Sequence, residues 1–421
     1  MSSYSPRLST ANTYDNALRN LGSRQTSLAN LQENLTSGKR VNRASDDPTA
    51  AAQAERSRTR IERIKADQRA LEAQRNSISQ AESTLGDVTD ALQGIRELVV
   101  SAGNAVFTGA ERLSVAEQIS GLRDQIFALA NRTDTNGLPL FSALGSALEP
   151  FVGPQAAPQD YTFKGLPGQT ASSEVAISPA LNGDAAFMHQ PVRDGVYNVG
   201  VSTIPVDRQL TTDNIAVSNT ALVSGSSYQI KFTAVGPGAT PGTTTATYDI
   251  LEMPPGADPA FPITGIVVPD YPSNKPVTIA VTGMPGLNLN ITGTPAVDDT
   301  VTVEPKNSIF SVLDDAVRNI SSATNNNAAT QAVGQALHNI DIGMGRIAAA
   351  RSQAGDLLNR ADRISANQES RSIQLESNRT NAEDLDMIKG ISDFQNQQTG
   401  YQAALQSYAQ VQKLSLFNFI S

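Results

Sequence analysis

Between Pro48 and about Ser101, apolar residues stand at Ile64, Leu71, Ile78, Leu85, Leu92 and Val99, each seven positions after the last. Val88 and Ile95 thicken the row in its second half. Residues seven apart share one face of an α-helix, and a row sustained this long needs a partner helix along its length. Ser45-Asp46-Asp47-Pro48 marks the start, with Asp47 suited to the N-cap and Pro48 to the first helical position. A helix of this extent spans roughly 80 Å at 1.5 Å per residue. Its early part is basic, with Arg56, Arg58, Arg60, Arg63, Lys65, Arg69 and Arg75 set against Glu62, Asp67 and Glu72. A solvated face or a polar contact between subunits explains this better than nucleic acid. The 421-residue chain has a net charge of −9, and phosphate binding needs an overall basic face.

Other helices flank this one. Tyr14, Leu21, Leu28 and Leu35 repeat at seven, with Leu18 and Leu31 close to the same side. Gly38 then supplies a left-handed cap position, followed by Lys39 and Arg40, which suit the negative helix end. Beyond Gly103-Asn104, Thr108 with Glu111 reads as a capping box for a helix carrying Val115, Ile119, Leu122, Ile126 and Leu129. Asn136-Gly137 is a turn signal. Helical periodicity returns late in the chain with Phe310, Leu313, Val317 and Ile320, a stripe expected to end at Asn325-Asn326-Asn327. Val333, Leu337, Ile340, Met344 and Ile347 open a second long helix, with a thinner, more polar seam continuing to about Asn381.

The last stretch, Leu385 to Ser421, carries Ile391, Phe394, Tyr401, Leu405, Tyr408 and Val411 at near-helical spacing, then Leu414, Leu416 and Phe417. One amphipathic helix cannot bury its own stripe, and each large apolar side chain kept from water is worth about 1.5–3 kcal/mol. The two chain ends therefore need each other, or other copies of the chain.

From about Glu149 to Pro305 proline, glycine and threonine become frequent and the helical period disappears. The runs 228–233, 245–250, 277–281 and 287–291 alternate at the strand period and are separated by turn residues. The expected class is α+β: a long antiparallel, coiled-coil-like helical bundle built by N- and C-terminal segments, with an inserted antiparallel β domain. The expected division is an innermost pair of terminal helices (1–37 and 385–421), a long-helix core (38–148 and 306–384) and an outer β domain (149–305).

Cysteine is absent and there are two histidines, His189 and His338, so no disulfide framework and no thiolate or His-based metal site is expected. No run of about 18 apolar residues suggests a membrane span, and the N-terminus lacks the pattern of a cleaved signal. No phosphate-cradling glycine motif or nucleophile elbow is found. Acidic pairs such as Asp46-Asp47 and Asp314-Asp315 read as turns and caps. No catalytic residue and no cofactor is expected.

Several segments resemble one family, the bacterial flagellar hook-filament junction proteins (hook-associated protein 3). Thr36-Ser37-Gly38-Lys39-Arg40-Val41 followed by Ser45-Asp46-Asp47-Pro48-Thr49-Ala50-Ala51 is similar to the family's N-terminal signature. Leu122–Gln125, Ala128–Asn131 and Asp134–Gly137 resemble its third helix and turn, and Gln402–Tyr408 with Leu414–Phe417 its tail. Ile291–Pro295 and Thr302–Pro305 look like the end of an outer domain found in some members. Flagellin shares the layout. Asp-Asp-Pro in place of the usual Asp-Asp-Ala, and the Ser-Leu-Phe ending, favour the junction protein. A coiled-coil adhesin or secretion-tip protein would share the helices without these motifs.

The resemblance implies a structural part of the flagellum, exported unfolded by the flagellar type III route and assembled outside the cell. The implied partners are hook-associated protein 1, flagellin, further copies in a ring, and a cytoplasmic export chaperone with the export apparatus, but neither nucleic acid nor membrane. The assembly interface would comprise Tyr14, Leu18, Leu21, Leu28, Leu31 and Leu35 with Phe394, Tyr401, Leu405, Tyr408, Val411, Leu414, Leu416 and Phe417.

Overall fold

The computed structural model describes residues 10–155, 160–205, 208–254, 260–273 and 275–420, with side chains at 15–410 of these. Helices α1 (Thr10–Ser37), α2 (Pro48–Ala102) and α3 (Gly109–Ala130) lead into a β-rich insertion. The insertion begins with β1 (Phe151–Val152), β2 (Thr162–Phe163) and the short helices α4 (Gly183–Phe187) and α5 (Pro191–Asp194). Next come β3 (Tyr197–Ser202), β4 (Leu210–Thr212), β5 (Ala216–Val217), β6 (Ser227–Pro237) and β7 (Thr243–Met253). It closes with β8 (Ile263–Pro272), β9 (Val277–Val281), β10 (Leu287–Gly293) and β11 (Thr300–Pro305). Helices α6 (Ile309–Ser321), α7 (Asn326–Glu383) and α8 (Met387–Ile420) complete the chain. This is the α+β architecture that the periodicities predict. It divides into two compact units, one of Ala70–Ile364 and one of the flanking segments up to Arg69 and from Ser365.

In the larger unit the α2 row is the core. Leu71 is 3% exposed, and Ile78, Leu85, Val88, Leu92, Ile95 and Val99 are sealed completely. They share one cluster with Val115, Ile119 and Ile126 of α3, Leu313 and Ile320 of α6, and Ala336, Ile340, Ile347, Ala354 and Ala361 of α7. Ion pairs along the rim give the direction of packing: Arg96–Asp341 at 3.0 Å, Glu82–Arg351 at 2.8 Å and Arg75–Asp362 at 3.2 Å. One number rises as the other falls, so α2 and α7 run antiparallel. The α7 side of the seam mixes Ala336, Ala350, Ala354 and Ala361 with Ile340, Ile347, Leu357 and Ile364, and the alanines leave room for the large residues of α2.

The start of the insertion also feeds this core. Phe310 is ringed by Phe127, Phe151, Tyr161 and Phe187, with centroids 5.1–5.9 Å away. Three of these contacts are tilted or edge-on and the Phe187 ring stacks at 13°; edge-on and offset-stacked arrangements suit the quadrupoles of the rings. The Tyr161 hydroxyl donates to Asp314 Oδ2 at 2.9 Å, and Arg123 Nε lies 2.9 Å from Asp314 Oδ1. Burial, opposed by Arg123, pushes the Asp314 carboxyl above its usual range.

Strands β1 and β2 pair antiparallel, and the later strands form two larger antiparallel sheets. One has the order β3-β11-β6-β7-β8; in the other β10 pairs with β9, β4 and β5. Ile230, Phe232, Tyr248 and Ile250 of the first share a core with Ile279, Leu289 and Ile291 of the second. The four alternating runs fall within β6, β7, β9 and β10. Strands β3, β8 and β11 were not expected. β3 opens on three successive buried residues, and β8 contains Gly265 and Pro269 with irregular register against β7, so neither alternates cleanly.

One helix boundary differs from expectation. Asn325-Asn326-Asn327 does not terminate α6, which ends at Ser321. Instead Asn325 Oδ1 accepts from the backbone N–H of Ala328 at 2.8 Å and caps the start of α7. Asparagine serves either role because its short amide can replace a backbone acceptor.

Two outcomes follow for stability. Leu85→Ala should cost about 2–5 kcal/mol in urea unfolding, the range for emptying a sealed core position. His189, 3% exposed with neither ring nitrogen hydrogen-bonded, has its pKa lowered to about 4 by burial, opposed by Asp194 and reinforced by Arg346 and Arg193. The unfolded chain takes up a proton there that the folded chain refuses, so stability is lost as pH falls from about 6.5 towards about 4. Urea midpoints of wild type and His189→Leu should draw apart as pH falls through this window, because only the wild type has an imidazole that protonates on unfolding.

Candidate assembly interface

The hinge between α1 and α2 is built from the Ser-Gly-Lys-Arg-Val and Ser-Asp-Asp-Pro segments. Gly38, at φ +72°, turns the chain out of α1 in the left-handed region that glycine enters freely. Its carbonyl accepts from Leu385 N at 2.9 Å, and the N–H groups of Arg40 and Val41 donate to Glu383 O at 2.8 and 3.3 Å. Lys39 pairs with the Glu383 carboxylate, and Arg40 Nη2 donates to Ala382 O at 2.8 Å. Val41, Ala50, Ala54 and Ala382 pack beneath. Asp46 Oδ2 accepts from Asn42 N and Arg43 N at 3.2 and 2.8 Å, while Asp47 Oδ1 caps α2 through Ala50 N at 3.0 Å. The Ala50 N–H, then Thr49 and Arg40, hold the Asp47 pKa down to about 2. The hydrogen bond from Lys39 lowers that of Glu383 in the same way.

This strap places α1 beside α8. A methyl built at Gly390 would lie 3.2 Å from Leu35 Cδ2 and 2.8 Å from Leu385 Cδ2, and one at Gly400 would meet Arg24 Nη1 at 2.8 Å. Leu35 near Gly390 and Arg24 near Gly400 make the pair antiparallel. At Gly390 the lack of a side chain makes room for Leu35, whereas at Gly400 the neighbour is the mobile end of Arg24.

The pair does not close over its own stripes. Leu18 is 46% exposed, Leu405 42% and Ile391 46%. Leu21, Leu28, Leu31, Leu35, Phe394, Tyr401 and Tyr408 are half-buried. Among the described residues of α1 and α8, no side chain is fully buried. The side chains of Tyr14, Val411, Leu414, Leu416 and Phe417 lie outside the described residues. Sequence reading missed the Lys39–Glu383 strap, whose partners are far apart in the chain. The lysine before the helix junction was legible only as a helix-end charge.

Among the described residues no cluster of three or more His, Cys, Asp or Glu is placed to hold a metal ion, and no helix is long and apolar enough to cross a membrane.

Residues 8–145 match the bacterial flagellin N-terminal helical region, and residues 337–420 match the bacterial flagellin C-terminal helical region. The chain belongs to the bacterial flagellin family. Within that family it is 35% identical over 153 residues to flagellar hook-associated protein 3 of Salmonella typhimurium, covering 34% of this chain and 46% of that one. It is 33% identical over 127 residues to the flagellar filament core protein flaB2 of Brachyspira hyodysenteriae, covering 30% and 45%. The chain spans about half the length of the curated relatives it matches. The crystal structure of the flagellar junction protein FlgL from Legionella pneumophila shares its fold, with a TM-score of 0.57 at 22% identity, over 74% of this chain and 99% of that one.

The two helical regions that define the family are the segments that the strap joins. Gly390→Leu should force α8 off Leu35, an overpacking cost of about 1–3 kcal/mol. Amide exchange across Leu28–Leu35 should then quicken by roughly tenfold or more, with exchange in the α2 core unchanged.

Proposed function

We propose that this chain is the hook-filament junction subunit of the bacterial flagellum, standing between hook-associated protein 1 and the flagellin filament. The observation that carries the reading is the half-covered α1/α8 pair. Two helices in contact, held by a dedicated strap, still leave Leu18, Ile391 and Leu405 largely in water and the rest of both stripes half-covered, and neighbouring copies would complete that cover. In this reading segments 1–37 and 385–421 form the innermost domain, and Tyr14 through Phe417 of the two stripes form its contacts. Segments 38–148 and 306–384 form the next layer, and 149–305 faces outward. Neighbours meet through unlike faces, a heterologous contact that closes into a ring.

The role is structural and requires no catalytic group or cofactor. The subunit travels through the type III export route, with a cytoplasmic chaperone covering the apolar C-terminal helix beforehand. A filament subunit is the second reading, because a filament core protein matches nearly as well. Asp47-Pro48 and the Leu414–Phe417 ending favour the junction.

Two measurements separate these readings. Leu405→Asp should change the unfolding free energy by less than about 0.5 kcal/mol, being a partly exposed surface site, yet abolish assembly and motility when it replaces wild type. Normal motility with that variant, or after removal of residues 385–421, overturns the assignment of the tail. A strain lacking the protein should build hooks and release flagellin unassembled into the medium. Absence of flagellin synthesis defects together with normal filaments in that strain rules out the junction role.

A further inference from the structure

The amide side chains of α7 cover one edge of the five-stranded sheet. Strand β3 ends that sheet and pairs only with β11. Lys306 N donates to Val196 O at 3.0 Å. Alternate β3 residues continue that pairing, so the backbone groups of Tyr197, Val199 and Val201 point away from β11. Asn339 Nδ2 donates to Tyr197 O at 3.0 Å. Gln335, in the amide orientation that satisfies both of its ends, donates to Val199 O at 3.1 Å and accepts from Val199 N. Both side chains are buried. Four helical residues rise about 6 Å and two strand residues about 6.6 Å. One amide every four positions of α7 therefore serves every second residue of β3.

The ladder stops one rung early. The next amide in the series is Gln331, and it turns to β4 instead. Its Oε1 accepts from Thr212 N at 3.0 Å and its Nε2 donates to Thr212 Oγ1 at 2.6 Å. Among the described residues the N–H and C=O of Val201 have no hydrogen-bond partner. They open on a cleft of about 330 Å³, lined also by Ser202, Thr203, Arg208, Asn319 and Asn327. Among the described residues no carboxylate lines it, and the charge of Arg208 is already met by Asp299 at 2.9 Å.

We propose that this cleft binds a primary carboxamide, the group borne by glutamine and asparagine. The recognition is already displayed one rung away, where the Gln335 amide exchanges two hydrogen bonds with Val199. A primary amide holds its C=O and one N–H side by side, so it fits the N–H and C=O of a single extended residue. Val201 presents the same pair. Only this rung is open, because Gln335 holds Val199 and β3 ends at Ser202. An extended peptide adding as a strand needs several rungs in a row, so a lone carboxamide is the better fit. With Arg208 paired, no unmet side-chain charge in the cleft favours an acid over its amide, and a carboxylate cannot donate to Val201 O.

Titration of the full-length protein with L-glutamine, followed in isotope-edited amide spectra, should move the Val201 resonance saturably. L-glutamate, of the same shape but without the amide donor, should leave it in place. Val201→Pro removes the open N–H at an edge position where proline is tolerated, and it assigns the resonance by deleting it. Ala328→Leu fills the cleft from α7 and leaves its polar groups intact. Each variant should weaken glutamine binding at least tenfold by calorimetry, and unfolding midpoints report separately whether each is folded. A glycine-flanked glutamine tripeptide run beside the free amino acid tells the two sources of the group apart: binding by free glutamine makes the ligand a small solute, and binding by the tripeptide alone makes it the side chain of a polypeptide. No movement of the Val201 resonance with either, an equal response to glutamate, or binding that survives in both variants overturns the proposal.

Discussion

The close antiparallel packing of α2 on α7 is the contact on which the larger unit depends. Six positions of the α2 row are wholly removed from water, and the helix that covers them contributes alanine at Ala336, Ala350, Ala354 and Ala361. Large side chains on one helix facing small ones on the other interlock without voids, and this is what fills an interior to normal density. Helices α3 and α6 then close the sides. The aromatic ring around Phe310 ties the first part of the insertion to the same interior, so the sheets that follow start from a fixed base.

The smaller unit is made differently. Its buried layer is thin, with Val41, Ala50, Ala54 and Ala382 at its centre. Directional contacts do the rest: backbone hydrogen bonds from Arg40 and Leu385, and the Lys39–Glu383 pair. Further along α7, Gln368 is buried with neither amide atom partnered. A polar group left so costs rather than contributes. With a thin core and with Leu18 and Leu405 left largely in water, this unit covers less of its apolar surface than the larger one does.

The helices were legible because a seven-residue repeat has one interpretation. Ile78, Leu85 and Leu92 lie where the repeat puts them, and the Thr108–Glu111 capping box closes as its residues suggest. The strands were half legible. Tyr228, Ile230 and Phe232 alternate because one face of β6 is wet. Tyr197, Asn198 and Val199 are buried one after another, and such a run carries no period. The role of Phe151, Tyr161 and Phe187 in the helical core was hidden as well, because a stretch rich in proline and glycine says where turns fall and not which neighbour its aromatics will reach.

By itself the sequence determined which segments form the long helices, where α2 and α3 begin, that a β region interrupts them, and that both ends carry apolar stripes. These are local properties, set by residues within a few turns of one another. Only the tertiary structure decided that Lys39 reaches Glu383, that Leu35 rests on Gly390, and how much of each stripe stays in water. Those depend on distances between residues hundreds of positions apart, and no local spacing encodes them.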